Sequence, residues 1–244
     1  MRIIMKQTNR TQGANENCLA VIPARSGSKR IPNKNIKYFC GKPILEYAIH
    51  SAIDSGVFTK IIVSTDHEDI AKIATKAGAE VPFLRDPGLA DDITNTDQVV
   101  VDAINQLGLN GSSYIYTACI YATTPMLSPV DIIDGLKILK AKESNFLLAV
   151  SRLRFPVERT YRVGSDGNLA LNNPSAYLQR SQDLPISFTD SGQFYWGTQK
   201  GWREIATKGV ESPSFLELPW HKSLDLDTLE DWDMAEKIYT ALNG

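Results

Sequence analysis

Ala20-Val21-Ile22-Pro23-Ala24-Arg25-Ser26-Gly27-Ser28-Lys29-Arg30-Ile31-Pro32-Asn33-Lys34-Asn35 is the stretch around which the chain is ordered. An apolar, β-branched run stops at a proline and gives way to a loop of small residues carrying Arg25, Lys29, Arg30 and Lys34. Gly41, Pro43 and a periodic helix follow. Small residues let backbone N–H groups close around phosphate oxygens, and flanking Arg and Lys add charge-assisted hydrogen bonds. The composition suits a polyanion, with a di- or triphosphate as the natural ligand. A solvated basic turn after a strand would share that composition, so the loop alone leaves both readings open. It holds neither Gly-x-x-x-x-Gly-Lys-Ser/Thr nor Gly-x-Gly-x-x-Gly, which weakens the Walker A and dinucleotide alternatives.

Outward from this loop, Leu19–Ile22 reads as a buried parallel strand, and the periodic Ile44, Leu45, Tyr47, Ala48, Ala52 and Ile53 as a helix ended by Gly56. Lys60–Ser64 is a second strand. Thr65-Asp66-His67-Glu68 offers a capping box for a helix through Ala77, and Glu80–Leu84 reads as a third strand. After a polar loop at 85–96 come a helix over Asp97–Leu107, a strand over Tyr114–Tyr121, a helix over Pro129–Lys142 and a strand over Phe146–Val150. Strands alternating with helices predict an α/β fold, a mostly parallel sheet covered on both faces, with ligands outside the carboxyl ends of the strands. The rhythm breaks over 152–190, where Asp166-Gly167 and Asn172-Asn173-Pro174 mark turns and a hairpin-like excursion is expected. A strand at Gln193–Gly197, a short helix at Gly201–Thr207, a strand at Leu216–Leu218 and a helix at Leu229–Leu242 complete the reading. Residues 18–244 are expected to form one domain, after a loose polar leader at 1–17.

The 244 residues are 43% hydrophobic and carry a net charge of -2, which argues against a nucleic-acid binder. Cys18, Cys40 and Cys119 form neither a CxxC pair nor a disulfide framework, so a reducing, cytoplasmic setting is expected. No apolar run approaches the ~18 residues that a membrane span needs.

Two further regions carry candidate chemistry. In Leu224-Asp225-Leu226-Asp227 the carboxylates of an extended chain share one face while the leucines take the other. Mg²⁺ favours such a pair together with substrate phosphates. Asp227 as a cap for the last helix, with Asp225 solvated, is the competing reading. Arg180-Ser181-Gln182-Asp183 and Asp190-Ser191-Gly192-Gln193-Phe194-Tyr195-Trp196 supply an arginine for a carboxylate, with amides and hydroxyls for polar substituents of a ligand, although a polar loop leading into a core strand with Phe194 and Trp196 would share that composition. Ser64-Thr65-Asp66 ends a strand at the expected ligand edge. Neither H-E-x-x-H nor Cys/His spacing points to zinc, and no Gly-x-Ser-x-Gly elbow points to a hydrolase.

Ile22-Pro23-Ala24-Arg25-Ser26-Gly27-Ser28-Lys29, with Ile31 and Lys34-Asn35, resembles the signature of the cytidine monophosphate-sialic acid synthetase family, and the resemblance spans residues 18 to 242. It implies a Rossmann-like three-layer fold of the nucleotide-diphospho-sugar transferase type. It also implies that Arg25, Lys29 and Lys34 hold the triphosphate of CTP, with Ala24, Ser28 and Asn35 beside the nucleotide and Ser64 near cytosine. Asp225 and Asp227 would coordinate Mg²⁺, with Mn²⁺ as a substitute. The sugar-side residues would be Tyr121, Arg180, Gln182, Gln193 and Tyr195. The excursion would reach across a homodimer into the neighbour's sugar pocket.

Within that family, Ile120-Tyr121-Ala122-Thr123-Thr124-Pro125 and Asp190-Ser191-Gly192-Gln193-Phe194-Tyr195-Trp196 depart from the sialic acid pattern and are similar to the pseudaminic acid branch. The implied reaction is attack by the anomeric hydroxyl of an acidic nine-carbon sugar on the α-phosphate of CTP, with pyrophosphate departing. Pseudaminic acid is the expected sugar, and legionaminic or N-acetylneuraminic acid the alternatives. No residue stands out as general base. A glycosyltransferase using Asp-Leu-Asp as its metal motif is disfavoured by the position of that pair. A catalytically idle nucleotide-binding protein is disfavoured by the presence of Arg25, Lys29, Asp225 and Asp227 together.

Overall fold

Leu19 and Val21 face one side of the first strand while Ala20 and Ile22 face the other, and all four are fully buried. A strand apolar on both faces must lie inside a sheet with cover above and below. The computed structural model describes residues 17–91, 93–109, 113–209 and 211–244, so the expected leader lies, but for Asn17, outside the described residues. In chain order the main elements are β1 (Cys18–Pro23), a two-residue hairpin β2 (Tyr38–Phe39) and β3 (Lys42–Pro43), α1 (Ile44–Ser55), β4 (Lys60–Ser64), α2 (Glu68–Lys76), α3 (Thr96–Leu109), β5 (Tyr116–Ile120), α4 (Pro129–Ala141) and β6 (Phe146–Arg152). Then come β7 (Tyr161–Val163), β8 (Leu169–Leu171), β9 (Phe188–Thr198), α5 (Gln199–Lys208), β10 (Ser214–Leu218) and α6 (Leu229–Asn243).

The main sheet has six strands in the order β10-β6-β9-β5-β1-β4. β1 pairs in parallel with β4 and β5, and β6 with β10, whereas β9 runs antiparallel between β5 and β6. Leu45, Ile49, Ile70, Ile132 and Leu136 from α1, α2 and α4 cover the face that carries Ala20, Ile22, Phe194 and Trp196. Val100, Ile104 and Leu107 of α3, with Trp202 of α5, cover the face of Leu19, Val21 and Cys119. The α/β, mostly parallel reading therefore holds. Each large apolar side chain buried in these layers contributes about 1.5–3 kcal/mol relative to exposure. At Gly135 a Cβ would fall 2.8 Å from the Phe194 ring, so α4 comes this close to β9 only through a glycine.

A third apolar cluster joins Ile31, Phe39, Ile44, Tyr47, Leu226, Trp232 and Ala235. Phe39 meets Trp232 edge to face at 5.6 Å. This cluster fixes α6, and with it the segment before α6, against the loop that follows β1.

Several boundaries differ from the sequence reading. Glu80–Leu84 is no strand; only Glu80 bridges Ile62, because Pro82 has no N–H for a ladder and the chain turns so that the Arg85 N–H reaches Thr65 O. Thr65 does not cap α2: its hydroxyl accepts the His67 N–H, and His67 itself caps through Nδ1, accepting from Asp69 at 3.2 Å. α3 runs one residue past Gly108. β9 begins five residues before Gln193, since its first residues pair with the end of β6, Arg152 opposite Phe188. Within the excursion, β7 and β8 form the expected hairpin, and short 3₁₀ turns at Val157–Arg159, Pro174–Leu178 and Ser181–Asp183 fill the rest.

Candidate active site

The carboxyl ends of β1 and β5, together with the start of β9, open onto one cleft of about 810 Å³. Arg25, Ser28, Lys29, Arg30, Lys34 and Asn35 line it from the loop, Asp225 and Asp227 from the segment before α6, and Tyr121, Asp190 and Tyr195 from β5 and β9. This is the crevice at strand ends where open α/β sheets hold ligands.

The loop is held in shape from beneath. Asp66, just after β4, accepts the Ser26 N–H at 2.9 Å and the Ser26 hydroxyl at 2.7 Å, and Asn35 donates to Arg25 O at 2.8 Å. Burial pushes the Asp66 carboxyl up, but the Ser26 bonds and the charge of Arg85 outweigh it and hold the carboxyl below its ordinary range. Ile31, fully buried in the third apolar cluster, pins the middle of the loop, and Asn33 turns it in the left-handed region at φ 53°. Arg25 donates to Asp91 O, so the loop at 85–91 joins the same wall. The basic side chains thus stand on backbone fixed by hydrogen bonds and packing, as a polyanion site requires.

Asp225 and Asp227 lie in an irregular segment rather than on a strand, which corrects the local expectation. Their alternation survives: Leu226 is buried and Leu224 packs beside it, while both carboxylates face the cleft. Asp227 meets Arg30 and, at 3.4 Å, Lys34, whose Nζ also donates to Leu226 O at 2.6 Å. Desolvation, then the neighbouring charge of Asp227, raises the Asp225 carboxyl above its ordinary pKa. The cap of α6 is Thr228 with Asp231, each satisfying the other's N–H, so Asp227 is not the helix cap. Two hard oxygen donors that disfavour each other's charge suit a divalent cation. Among the described residues no group of three or more His, Cys, Asp or Glu could hold an ion. Phosphate oxygens would have to complete the coordination.

The opposite wall is aromatic and polar. Tyr195 donates to Asp190 Oδ2 at 2.5 Å, its hydroxyl lies 3.4 Å from that of Tyr121, and Tyr121 donates to Thr96 Oγ1 at 3.3 Å. The two rings meet edge to face at 5.7 Å. Burial pushes the Tyr121 hydroxyl up to about 12 and raises that of Tyr195 as well, so both are neutral donors at ordinary pH.

Ala24 is buried at the root of the loop, its N–H donating to Ser64 O at 2.9 Å. Four other residues singled out from sequence lie away from the cleft. Ser64 is buried and its hydroxyl accepts from Arg85 Nε at 3.1 Å. Gln193 is 2% exposed, donates to Ser191 O at 3.2 Å, and lines a separate small pocket with Met126, Leu224 and Leu226. β9 is irregular around this point, with Gly192 at φ 62° and a register shift against β6 between the partners of Asp190 and Tyr195, and Tyr195 lines the cleft where Gln193 does not. Arg180 and Gln182 are exposed on the excursion and do not line the cleft. Conversely, the structure adds Arg85, Asp91, Thr94, Thr96 and Asp190 to the lining. Arg85 is only 5% exposed, and burial lowers the pKa of its guanidinium. A lone arginine opening a segment rich in Asp, Gly and Pro was the available signal for it.

The chain matches the family model described as cytidylyltransferase over residues 19–201. It is 37% identical to the pseudaminic acid cytidylyltransferase of Campylobacter jejuni, across 91% of this chain and 95% of that one. It is 31% identical to the CMP-N,N'-diacetyllegionaminic acid synthase of Legionella pneumophila, across 90% and 95% respectively. Among solved structures, a CMP:2-keto-3-deoxy-manno-octonic acid synthetase complexed with CTP has the same fold, with a TM-score of 0.69 at 14% identity, covering 93% of this chain and all of that one.

Proposed function

The chain belongs to the cytidylyltransferase family and is a nucleotidyltransferase, and on that premise we propose that it transfers CMP from CTP to the anomeric hydroxyl of a nonulosonic acid, specifically pseudaminic acid, with release of pyrophosphate. The observation that carries this reading is the meeting in one cleft of the basic loop, the Asp225–Asp227 pair and the Tyr121–Tyr195 wall. Greater identity to the Campylobacter jejuni relative than to the Legionella pneumophila one favours pseudaminic over legionaminic acid.

The residues divide the work by charge. Arg25, Lys29 and Lys34 bind the triphosphate and neutralise the charge that gathers on the leaving pyrophosphate. Ser28 and Asn35 line the same end, where backbone fixed by Asp66 keeps the basic groups in place. Asp225 and Asp227 would hold Mg²⁺, or Mn²⁺ in its place. The ion would supply Lewis-acid neutralisation of phosphate oxygens. Tyr121 and Tyr195 wall the sugar side and keep its hydroxyl in line with the α-phosphorus.

The same reading makes the protein a homodimer. Phe155, Val163, Leu169, Tyr177, Leu178 and Ile186 of the excursion are all more than half exposed, an apolar surface that a second copy would cover. Arg180 and Gln182, away from their own cleft, would then complete the sugar pocket of the other copy. Among the described residues no helix is long and apolar enough to cross a membrane; use of CTP places the enzyme in the cytoplasm in this reading.

Pyrophosphate release measured with CTP and pseudaminic, legionaminic, N-acetylneuraminic and 3-deoxy-manno-octulosonic acids, with and without chelator, tests the proposal. Mg²⁺-dependent turnover with pseudaminic acid far above the others is expected. A clear preference for N-acetylneuraminic acid would overturn the choice of sugar, and no turnover with any of them would overturn the activity.

A further inference from the structure

Asp190 is an anion on a cleft whose other end is built to bind anions, and the reading above gives it no role. It sits near the start of β9, two strands from β1 in the sheet order, and lines the same cleft as the basic loop. Its Oδ1 accepts the Gly192 N–H at 2.9 Å and its Oδ2 accepts the Tyr195 hydroxyl at 2.5 Å. An ionised carboxylate offers about four lone-pair sites, so each oxygen retains acceptor capacity toward the cleft. Because Tyr195 spends its proton on Asp190, the surface presented here is one of acceptors.

The chemistry of the substrate class decides what can meet it. In a 2-keto sugar acid the carboxylate is on the anomeric carbon itself, so an anomeric hydroxyl at the α-phosphate brings that carboxylate to the basic end. The ring positions and side chain remote from the anomeric carbon then point toward β9. An anion buried against ligand is tolerated only where it meets donors. Nonulosonic acids with two acylamino groups carry N–H donors at those remote positions, whereas a sugar acid with hydroxyls alone does not.

We propose that Asp190 is a specificity-determining residue that accepts a hydrogen bond from an acylamino N–H of the sugar, while its bond to Tyr195 fixes the Tyr121–Tyr195 wall against which that group lies. The inference rests on the cytidylyltransferase reading and names the residue that would read the acylamino groups of its sugar. A hydroxyl rotates to donate or accept, but an amide N–H has one direction and only donates. Exchange of the carboxylate for an amide therefore penalises the acylamino acid more than the hydroxyl-only acid.

The test uses the full chain saturated with a CTP analogue whose α–β bridge cannot be cleaved, titrated calorimetrically with pseudaminic acid and with 3-deoxy-manno-octulosonic acid. Asp190→Asn is expected to weaken pseudaminic acid about 10-fold or more and the hydroxyl-only acid less than about 3-fold, as loss of a charge-assisted hydrogen bond would. Affinity for the analogue and Tm should be unchanged. Tyr195→Phe, which removes the phenol but leaves the carboxylate, is expected to cost pseudaminic acid less than Asp190→Asn does. Equal losses for both acids, or none, would overturn the proposal. So would a Tyr195→Phe loss as large as that of Asp190→Asn, because Asp190 would then act only through the ring. If Asp190→Asn does not fold, Asp190→Ala, which removes the acceptors altogether, replaces it with the same expected split between the acids. Wild-type protein that binds the analogue but no acylamino acid would instead bring down the underlying reading, and this inference with it.

Discussion

The loop at 24–35 and the excursion at 152–190 both carry arginines singled out from the sequence, yet Arg25 of the loop lines the cleft of its own chain and Arg180 of the excursion does not. The loop is fastened by Asp66, Asn35 and a buried isoleucine, and its basic groups already look into the cleft. The excursion leaves its apolar residues in water and holds Arg180 and Gln182 away from the cleft. In the proposed reading, the nucleotide end is organised by folding of one chain, whereas the sugar end would be completed by assembly of two.

The largest effect expected on this division is at the carboxylate pair. Asp225→Asn or Asp227→Asn should each lower turnover by at least about 100-fold, the scale of lost charge stabilisation at a transferring phosphate. Excess Mg²⁺ or Mn²⁺ should recover part of the Asp227→Asn loss. Steady-state kinetics across metal concentration measure this, and near-normal turnover in both variants would remove the pair from the chemistry.

Lys29→Ala comes next. Loss of one charge-assisted contact of about 1.5–3 kcal/mol corresponds to roughly a 10- to 150-fold fall in kcat/KM, with Tm unchanged. Should Tm fall with activity, the loop would be a structural element and the contrast with the excursion would blur.

On the excursion, Leu178→Asp should act the other way round. It places a charge on a side chain that is 90% exposed, so the monomer should keep its Tm while sedimentation shifts toward monomer. KM for the sugar should rise several-fold with CTP affinity intact. An unchanged sedimentation coefficient and KM would mean that the excursion is not an interface.

The smallest effect concerns pH. Asp66 has a native pKa below its ordinary value, so its contribution to stability is present above the ordinary carboxylate range and is lost as pH falls through the lowered one. Asp66→Asn should cost about 1 kcal/mol near neutrality and flatten this part of the acid-side decline in Tm. A variant whose Tm declines with acid as steeply as the wild type would show that the Ser26 bonds do not hold the loop.

The sheet was legible because its signals are local: β1 alternates between two buried faces, and Gly56 and Gly78 stop helices within a residue or two of the expected points. The basic loop and the acidic pair were legible for the same reason, residue type at short spacing. What escaped depends on partners distant in sequence. Arg85 becomes a floor of the cleft only through Ser64, and Asp190 joins the expected Tyr121 and Tyr195 only through the antiparallel entry of β9. Gln193 was expected in the pocket from the resemblance, but it is buried away from the cleft where β9 is irregular beside the left-handed Gly192. Glu80–Leu84 had strand composition, but Pro82 could not extend the ladder beyond one bridge.

Arg152 and Phe188 face each other across the β6–β9 ladder, so the chain leaves the sheet and rejoins it at the same place. Everything between is a detour whose ends are already closed by the sheet, and the entropy of closing a loop rises only slowly with its length. Such a segment is a natural cassette: it could be shortened, replaced or grafted from a relative with a different sugar preference without breaking a strand of the scaffold. Pocket and scaffold would then be free to change at different rates.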